Sequence, residues 1–350
     1  METHNKISIR TVGEKAGVSQ STVSMVLNGR GDEMRISAQT QQRVLEAAEA
    51  LGYTAERAAR KERLETARPL NLVVFWNDKL LGEEMAHFMK GALSYIEEHQ
   101  CHVVLSMRMF REGCLLEDPI FRNLNHVDGI IADGLGNKDM EELEPLREQI
   151  PIVLSSRFSP NISAVYTDGY SIGRDVARLF AEAGLKRAGI VSSVRPSIGS
   201  SLRTVGFRDG CRAFGIECRD EWILQTDEFD FEQIVIDTEK MFEQEEIPDC
   251  LLIQQVSMAP GVASGLRRKG IGVPSDVALL AYGLNHFMSD IFSTISMIGG
   301  PLEAFGEVSV DLLMMLIQNK IGSPVSRIIP PEYHFSQSFR PLQNIEQMLK

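Results

Sequence analysis

From residue 69 onward, short apolar runs alternate with amphipathic helical stretches, and this rhythm restricts the fold more than any other feature of the chain. Strand candidates are Leu70–Trp76, His102–Met107, Gly129–Ala132, Ile152–Leu154, Ala188–Ser192, Cys250–Gln254 and Val277–Tyr282. Helical patterns lie between them, at Glu83–Glu98, Ser171–Ala183, Leu202–Phe214, Phe231–Gln244, Ala259–Lys269 and Leu302–Gln318. Strand, helix, strand at this spacing predicts parallel sheets with helices on both faces. One sheet of this size would be unwieldy. Two lobes are expected instead, with a ligand held between the carboxyl ends of their strands.

The first fifty residues follow a different period. A short helix over Thr11–Ala16 meets a turn at Gly17-Val18-Ser19, and a second helix runs from Gln20 to about Asn28. Ser19 suits the N-cap, because its hydroxyl can accept a free amide of the first turn. Val23, Val26 and Leu27 form an apolar face at three- and four-residue spacing, which leaves Gln20, Ser21, Ser24 and Met25 on the other side. A third helix runs from a Ser37 cap through Val44, Leu45, Ala48 and Leu51 and stops at Gly52. Small helical bundles with polar outer faces are common. The tight turn between two helices favours the arrangement that lays its second helix in the major groove of DNA.

Charge is divided along the chain. Residues 1–64 carry ten Lys/Arg against eight acids, a balance of +2, so the rest of the −12 chain stands at −14. A mildly basic head on an acidic body fits contact with phosphate through the head alone. Five scattered cysteines (Cys101, Cys114, Cys211, Cys218, Cys250) give neither a disulfide framework nor a zinc spacing. No apolar run is long enough for a membrane span, and METHNKISIR has no signal-peptide core, so a cytoplasmic location is expected. There is no Gly-Lys-Ser/Thr phosphate loop, no His-Glu-x-x-His, and no metal spacing among the seven histidines. Neither enzyme chemistry nor a cofactor nor a metal is expected.

Ala16-Gly17-Val18-Ser19, Thr22-Val23-Ser24, Leu27-Asn28-Gly29, Arg43-Val44-Leu45-Glu46-Ala47-Ala48 and Leu51-Gly52-Tyr53 together resemble the headpiece of the lactose/galactose-repressor (LacI/GalR) family of bacterial transcriptional regulators. The likeness continues through Ile150-Pro151-Ile152-Val153, Arg203 with Gly206-Phe207, and Gly270 to Val277. It implies a helix-turn-helix headpiece over residues 1–53, a hinge over 54–68, and an α/β two-lobed, periplasmic-binding-protein-like (type I) effector domain over 69–350. Lobe N would hold about 69–162 and 291–324, lobe C about 163–290 and 325–350, with chain crossings near 160–164, 286–293 and 322–327. The implied function is repression by a homodimer on a near-palindromic operator, controlled by a small-molecule effector such as a sugar.

The resemblance also implies site residues. Base contacts fall on Gln20, Ser21 and Met25, and backbone contacts on Ser19, Thr22, Ser24 and Asn28. Met25 stands where the family usually has a polar or cationic base reader, which removes a bidentate bond to guanine. In the hinge, Arg57 and Arg60 are expected on phosphates, while Glu62 occupies the place of the family's wedging leucine. Effector contacts are expected from Trp76, Asn77, Asp168, Arg203 and Phe229. Plainer readings exist for three of them: a surface charge for Arg203, an N-cap for Asp168 and ordinary core for Phe229. Val256 and Gly283 replace family carboxylates that commonly accept sugar hydroxyls, which weighs against a typical sugar. Two alternatives follow, a pocket that answers a protein co-regulator or nothing, and a solute-binding protein with the same body fold.

Overall fold

The computed structural model describes residues 9–27, 31, 34, 36–50, 68–80, 82–284 and 294–341. The chain divides into two compact units, residues 1–69 and 70–350.

In the first unit, α1 (Ile9–Ala16), α2 (Gln20–Leu27) and α3 (Ala38–Ala50) close around Val12, Ala16, Val23, Val26, Val44, Ala47 and Ala48. Gly17 turns the chain with φ of +67°, a conformation that costs glycine little and an L side chain more. The Val18 amide bonds Gly13 O at 3.0 Å, and Ser19 then caps α2 by accepting the Thr22 amide at 3.2 Å. Ser37 does the same for α3 through Thr40. Both helix starts are thus set by contacts within three residues of the chain.

The second unit contains β1 (Leu70–Asn77), α4 (Glu83–Glu98), β2 (Val103–Phe110), β3 (Gly129–Asp133), α5 (Asn137–Leu143), β4 (Ile152–Ser155) and β5 (Ser163–Tyr166). It continues through α6 (Gly169–Glu182), β6 (Ala188–Ser193), α7 (Ile198–Phe214), β7 (Ile223–Thr226), α8 (Phe231–Met241), β8 (Cys250–Ile253) and α9 (Ala259–Arg268). The remainder is β9 (Ala278–Tyr282), β10 (Ser296–Gly299), α10 (Leu302–Ile317), β11 (Ser326–Ile328) and β12 (Glu332–His334).

Two six-stranded sheets result, in the orders β11-β5-β4-β3-β1-β2 and β12-β10-β9-β8-β6-β7. All pairings are parallel except β10 with β12. Each sheet has an apolar core on both faces, as a parallel sheet requires. No helix among the described residues is long and apolar enough to cross a membrane.

The chain passes between the lobes after β5 (167–168), after β10 (300–301) and between β11 and β12 (329–331). Of the described residues, lobe N therefore holds 70–80, 82–166 and 302–328, and lobe C holds 169–284, 294–299 and 332–341. The crossings expected near 160–164, 286–293 and 322–327 are corrected. Ser163–Tyr166 still belongs to lobe N, because Ala164 and Val165 are fully buried between β4 and β11. Ser296–Gly299 still belongs to lobe C, paired with β9. Each crossing leaves from the carboxyl end of a strand, so the carboxyl edges of both sheets border the cleft between the lobes.

In lobe C, α6 and α7 pack backbone to backbone. A Cβ added at Gly173 would lie 2.1 Å from Arg203 O, and one at Gly206 would lie 2.1 Å from Tyr170 O. Only hydrogen at these positions permits the approach, and it is this approach that seats α7, the helix carrying Arg203, on the sheet.

Candidate functional site

On α2, Val23 and Val26 face the core, and the opposite side starts with exposed Ser19, Gln20 and Ser21. The Ser19 hydroxyl lies 2.8 Å from that of Thr22 and 3.3 Å from that of Ser21, so three hydroxyls cluster at the amino end of the helix. Unbonded first-turn amides and the helix dipole make such an end attractive to phosphate. Ser24 and Met25 are half-buried on the same helix. Asn28, the hinge residues Arg57 and Arg60, and Glu62 lie outside the described residues.

In the two-lobed unit, buried polar side chains gather at the carboxyl edges of the sheets. Lobe N contributes Asn77, Asp133 and Ser155, and lobe C contributes Ser193, Thr226, Gln254 and Arg203. Buried polar groups need partners, so this concentration marks where a polar ligand can enter.

Arg203 projects from α7 to the end of β8 and is 4% exposed. Its Nη1 donates to Gln254 Oε1 at 2.6 Å and to Gln254 O at 3.1 Å, and Gln254 Nε2 donates onward to Thr204. The guanidinium carbon sits 3.2 Å from the centre of the Tyr282 ring at the end of β9. The Tyr282 hydroxyl lies 2.7 Å from that of Thr167, the first residue of the first crossing. Burial pulls the Arg203 pKa down to about 10, opposed by Tyr282. The side chain remains charged at neutral pH.

Asp133, at the end of β3, is 5% exposed, and burial pushes its carboxyl up to about 6 despite Ser155 and Ser156 beside it. Phe229 is half-exposed before α8, with Lys79 Nζ from the β1–α4 turn 4.7 Å above its ring. This cation–π contact spans the mouth of the cleft from one lobe to the other.

The other expected effector residues behave differently. Trp76 lies on the β1 face shared with Leu72 and Val74, packs against Phe88 and donates its indole N–H to Leu80 O at 2.7 Å. It is core, and its place among the effector contacts is corrected. Asn77 donates to Gly134 O and accepts the Lys79 amide, which ties two cleft loops together. Asp168 caps α6 by accepting from the Ser171 amide and hydroxyl. Asp133, Gln254 and Tyr282 were absent from the expected set. Their signal is a polar or aromatic residue that ends or follows an apolar strand.

The comparisons with known proteins match this geometry part by part. Residues 8–56 match the model of bacterial regulatory proteins of the lacI family, and residues 177–339 match a periplasmic binding protein-like domain. The catabolite control protein A of Priestia megaterium is 24% identical over 339 residues, covering 95% of this chain and 99% of that protein. The chain belongs to the LacI family of bacterial regulators. Solved structures agree on the fold of this LacI-family chain. The transcriptional regulator CelR in complex with cellobiose shares 21% identity, with 95% of this chain and all of that one covered, at a TM-score of 0.68. The lac repressor dimer bound to operator and an anti-inducer shares 20% identity, covers 95% and 99% of the two chains, and has a TM-score of 0.65. The LacI-family chain is accordingly a DNA-binding transcriptional regulator with an effector domain.

Proposed function

We propose that this LacI-family regulator represses transcription as a homodimer on a pseudo-palindromic operator in the cytoplasm. Its operator affinity is set by a small molecule held between the lobes, without catalysis. The observation that carries the proposal is the α2 face, where a capped helix start with exposed Gln20 and Ser21 stands clear of the core residues Val23 and Val26. Gln20 and Ser21 supply base-edge hydrogen bonds, Met25 apolar contact to a thymine methyl, and Ser19, Thr22 and Ser24 phosphate contacts. Asn28, Arg57 and Arg60 extend those phosphate contacts. The operator-bound lac repressor dimer supports both the dimer and the DNA partner.

On the effector side, Arg203 is the primary contact, Phe229 covers the entrance, and Asn77 and Asp168 hold cleft elements in place. The similarity to CelR, solved as a complex with cellobiose, supports a small-molecule ligand. Deleting residues 1–64 is expected to abolish operator binding in a gel shift while the body stays folded and dimeric by sedimentation. A truncated body that bound operator as well as the full chain would sink the headpiece assignment.

A further inference from the structure

We infer that the effector is a small acid whose anionic group, carboxylate or phosphate, lies on Arg203 and whose other end carries hydroxyl or amino donors for Asp133. The inference rests on the cleft being the effector site, and it concerns what chemistry that site accepts.

Charges buried in a fold are normally paired, because desolvation costs several kcal/mol per ion. The far more accessible Arg108 and Arg178 follow that rule, held by Asp118 at 2.6 Å and Glu182 at 3.2 Å. Arg203 does not. Its partners are the neutral Gln254 and the Tyr282 ring, and its buried Nε has no hydrogen-bond partner. Among the described residues no carboxylate forms an ion pair with it. The floor beside Gln254 is also neutral. Gly283, with φ of +110°, faces Val256, and a Cβ at 283 would lie 3.1 Å from Val256 Cγ1. An acidic side chain at 283 would be strained in its backbone and crowded by Val256, so this framework keeps a carboxylate away from the guanidinium.

Lobe N presents the opposite case. Asp133 is buried at the end of β3, and no cation among the described residues forms an ion pair with it. The N-lobe rim carries further acid in Glu84, which pushes the Asp133 carboxyl higher still. The two sheets thus border one cleft with an uncompensated cation on the C-lobe side and an uncompensated anion on the N-lobe side. A neutral sugar leaves the Arg203 charge unmatched. An acid with donors at its far end matches both, with a planar fork suited to two oxygens of a carboxylate or phosphate. Hydroxy acids, sugar phosphates and amino acids share this polarity.

The test uses the full-length protein in thermal-shift and operator-anisotropy assays. The probes are gluconate, glucuronate, glucose 6-phosphate and serine, each against glucose or glycerol at equal ionic strength, with inorganic phosphate as a bare anion. At least one of these acids is expected to raise the melting temperature and change operator affinity, while the neutral compounds do neither. The same acid should bind at least about tenfold more weakly to Arg203→Gln, and the preference for acids should survive in Arg203→Lys, which keeps the charge without the fork. If Arg203→Gln does not fold, the lysine variant decides: loss of the preference for acids there overturns the inference. Stabilisation by inorganic phosphate alone, without effect on operator binding, also overturns it. A neutral sugar that matches or exceeds the acids overturns the inference and leaves the regulator standing. Operator binding that answers none of the probes counts against both.

Discussion

Gly206→Ala is expected to cost about 3 kcal/mol and to silence the effector response. The added Cβ would lie 2.1 Å from Tyr170 O and 2.8 Å from Tyr170 C, and backbone atoms cannot rotate away as a side-chain tip can. The two helices must part, which loosens the packing of Ile172, Val176 and Phe207 between them and the sheet. Overpacking of this kind costs about 1–3 kcal/mol, and the upper end applies because both contacts are to main chain. Arg203 lies just under one turn before Gly206, so the same movement draws its guanidinium from Gln254. Gly199→Ala on the same helix is the control, since its Cβ would meet only Ser197 Oγ at 3.8 Å. Thermal unfolding should show several degrees lost for Gly206→Ala and almost none for Gly199→Ala. Equal melting temperatures would show that α6 and α7 do not approach so closely.

Asp133→Asn is expected to stabilise the protein at pH 7.5 in the absence of effector. In the fold the carboxyl titrates at about 6, against 3.8 for a free aspartate, so the folded state holds the proton more tightly. The stability this group contributes is therefore complete below about pH 4 and is lost as pH rises through 6. Above that window the wild type holds a buried carboxylate that the amide does not, a difference of roughly 3 kcal/mol at most. Melting curves from pH 4 to 8 should show the variant gaining on the wild type as pH rises, with the two converging near pH 4. A variant that is less stable at every pH would mean that the carboxylate has a cation partner in the fold. The gain in stability should come with weaker binding of hydroxy acids, because a neutral amide offers their donors one uncharged acceptor oxygen in place of two anionic ones.

Much of this was legible in the sequence, and the rest was missed for identifiable reasons. The headpiece could be read because its determinants are local: a glycine turn, Ser19 and Ser37 as caps, and valines at helical spacing. The helix Glu83–Glu98 has the bounds its pattern predicts, and strands made of unbroken apolar runs were equally plain. Ser163–Tyr166, Ile223–Thr226 and Ser296–Gly299 were not, since each is four residues long with a polar member. Their strand character comes from neighbours far along the chain, and without them the lobe crossings fell in the wrong places.

The cleft shows the same division. Arg203 was visible through its family position. Trp76 was misplaced although its parity with Leu72 and Val74 already turns it toward the helix layer. Asp133 and Gln254 carry a readable sign, a polar residue closing or following a buried strand, whereas the contact of Tyr282 with Thr167 exists only once the chain has crossed between lobes.

Sequence reading by α2 is tested most directly by a randomised-site selection on the full-length chain. The expected product is a pseudo-palindrome with half-sites about one helical turn apart. Met25→Arg should then move one symmetric position toward guanine by about 1–3 kcal/mol, with the rest of the motif unchanged. Enrichment of no motif, or of one that stays identical in Met25→Arg and in a Gln20→Ala, Ser21→Ala double variant, would contradict it.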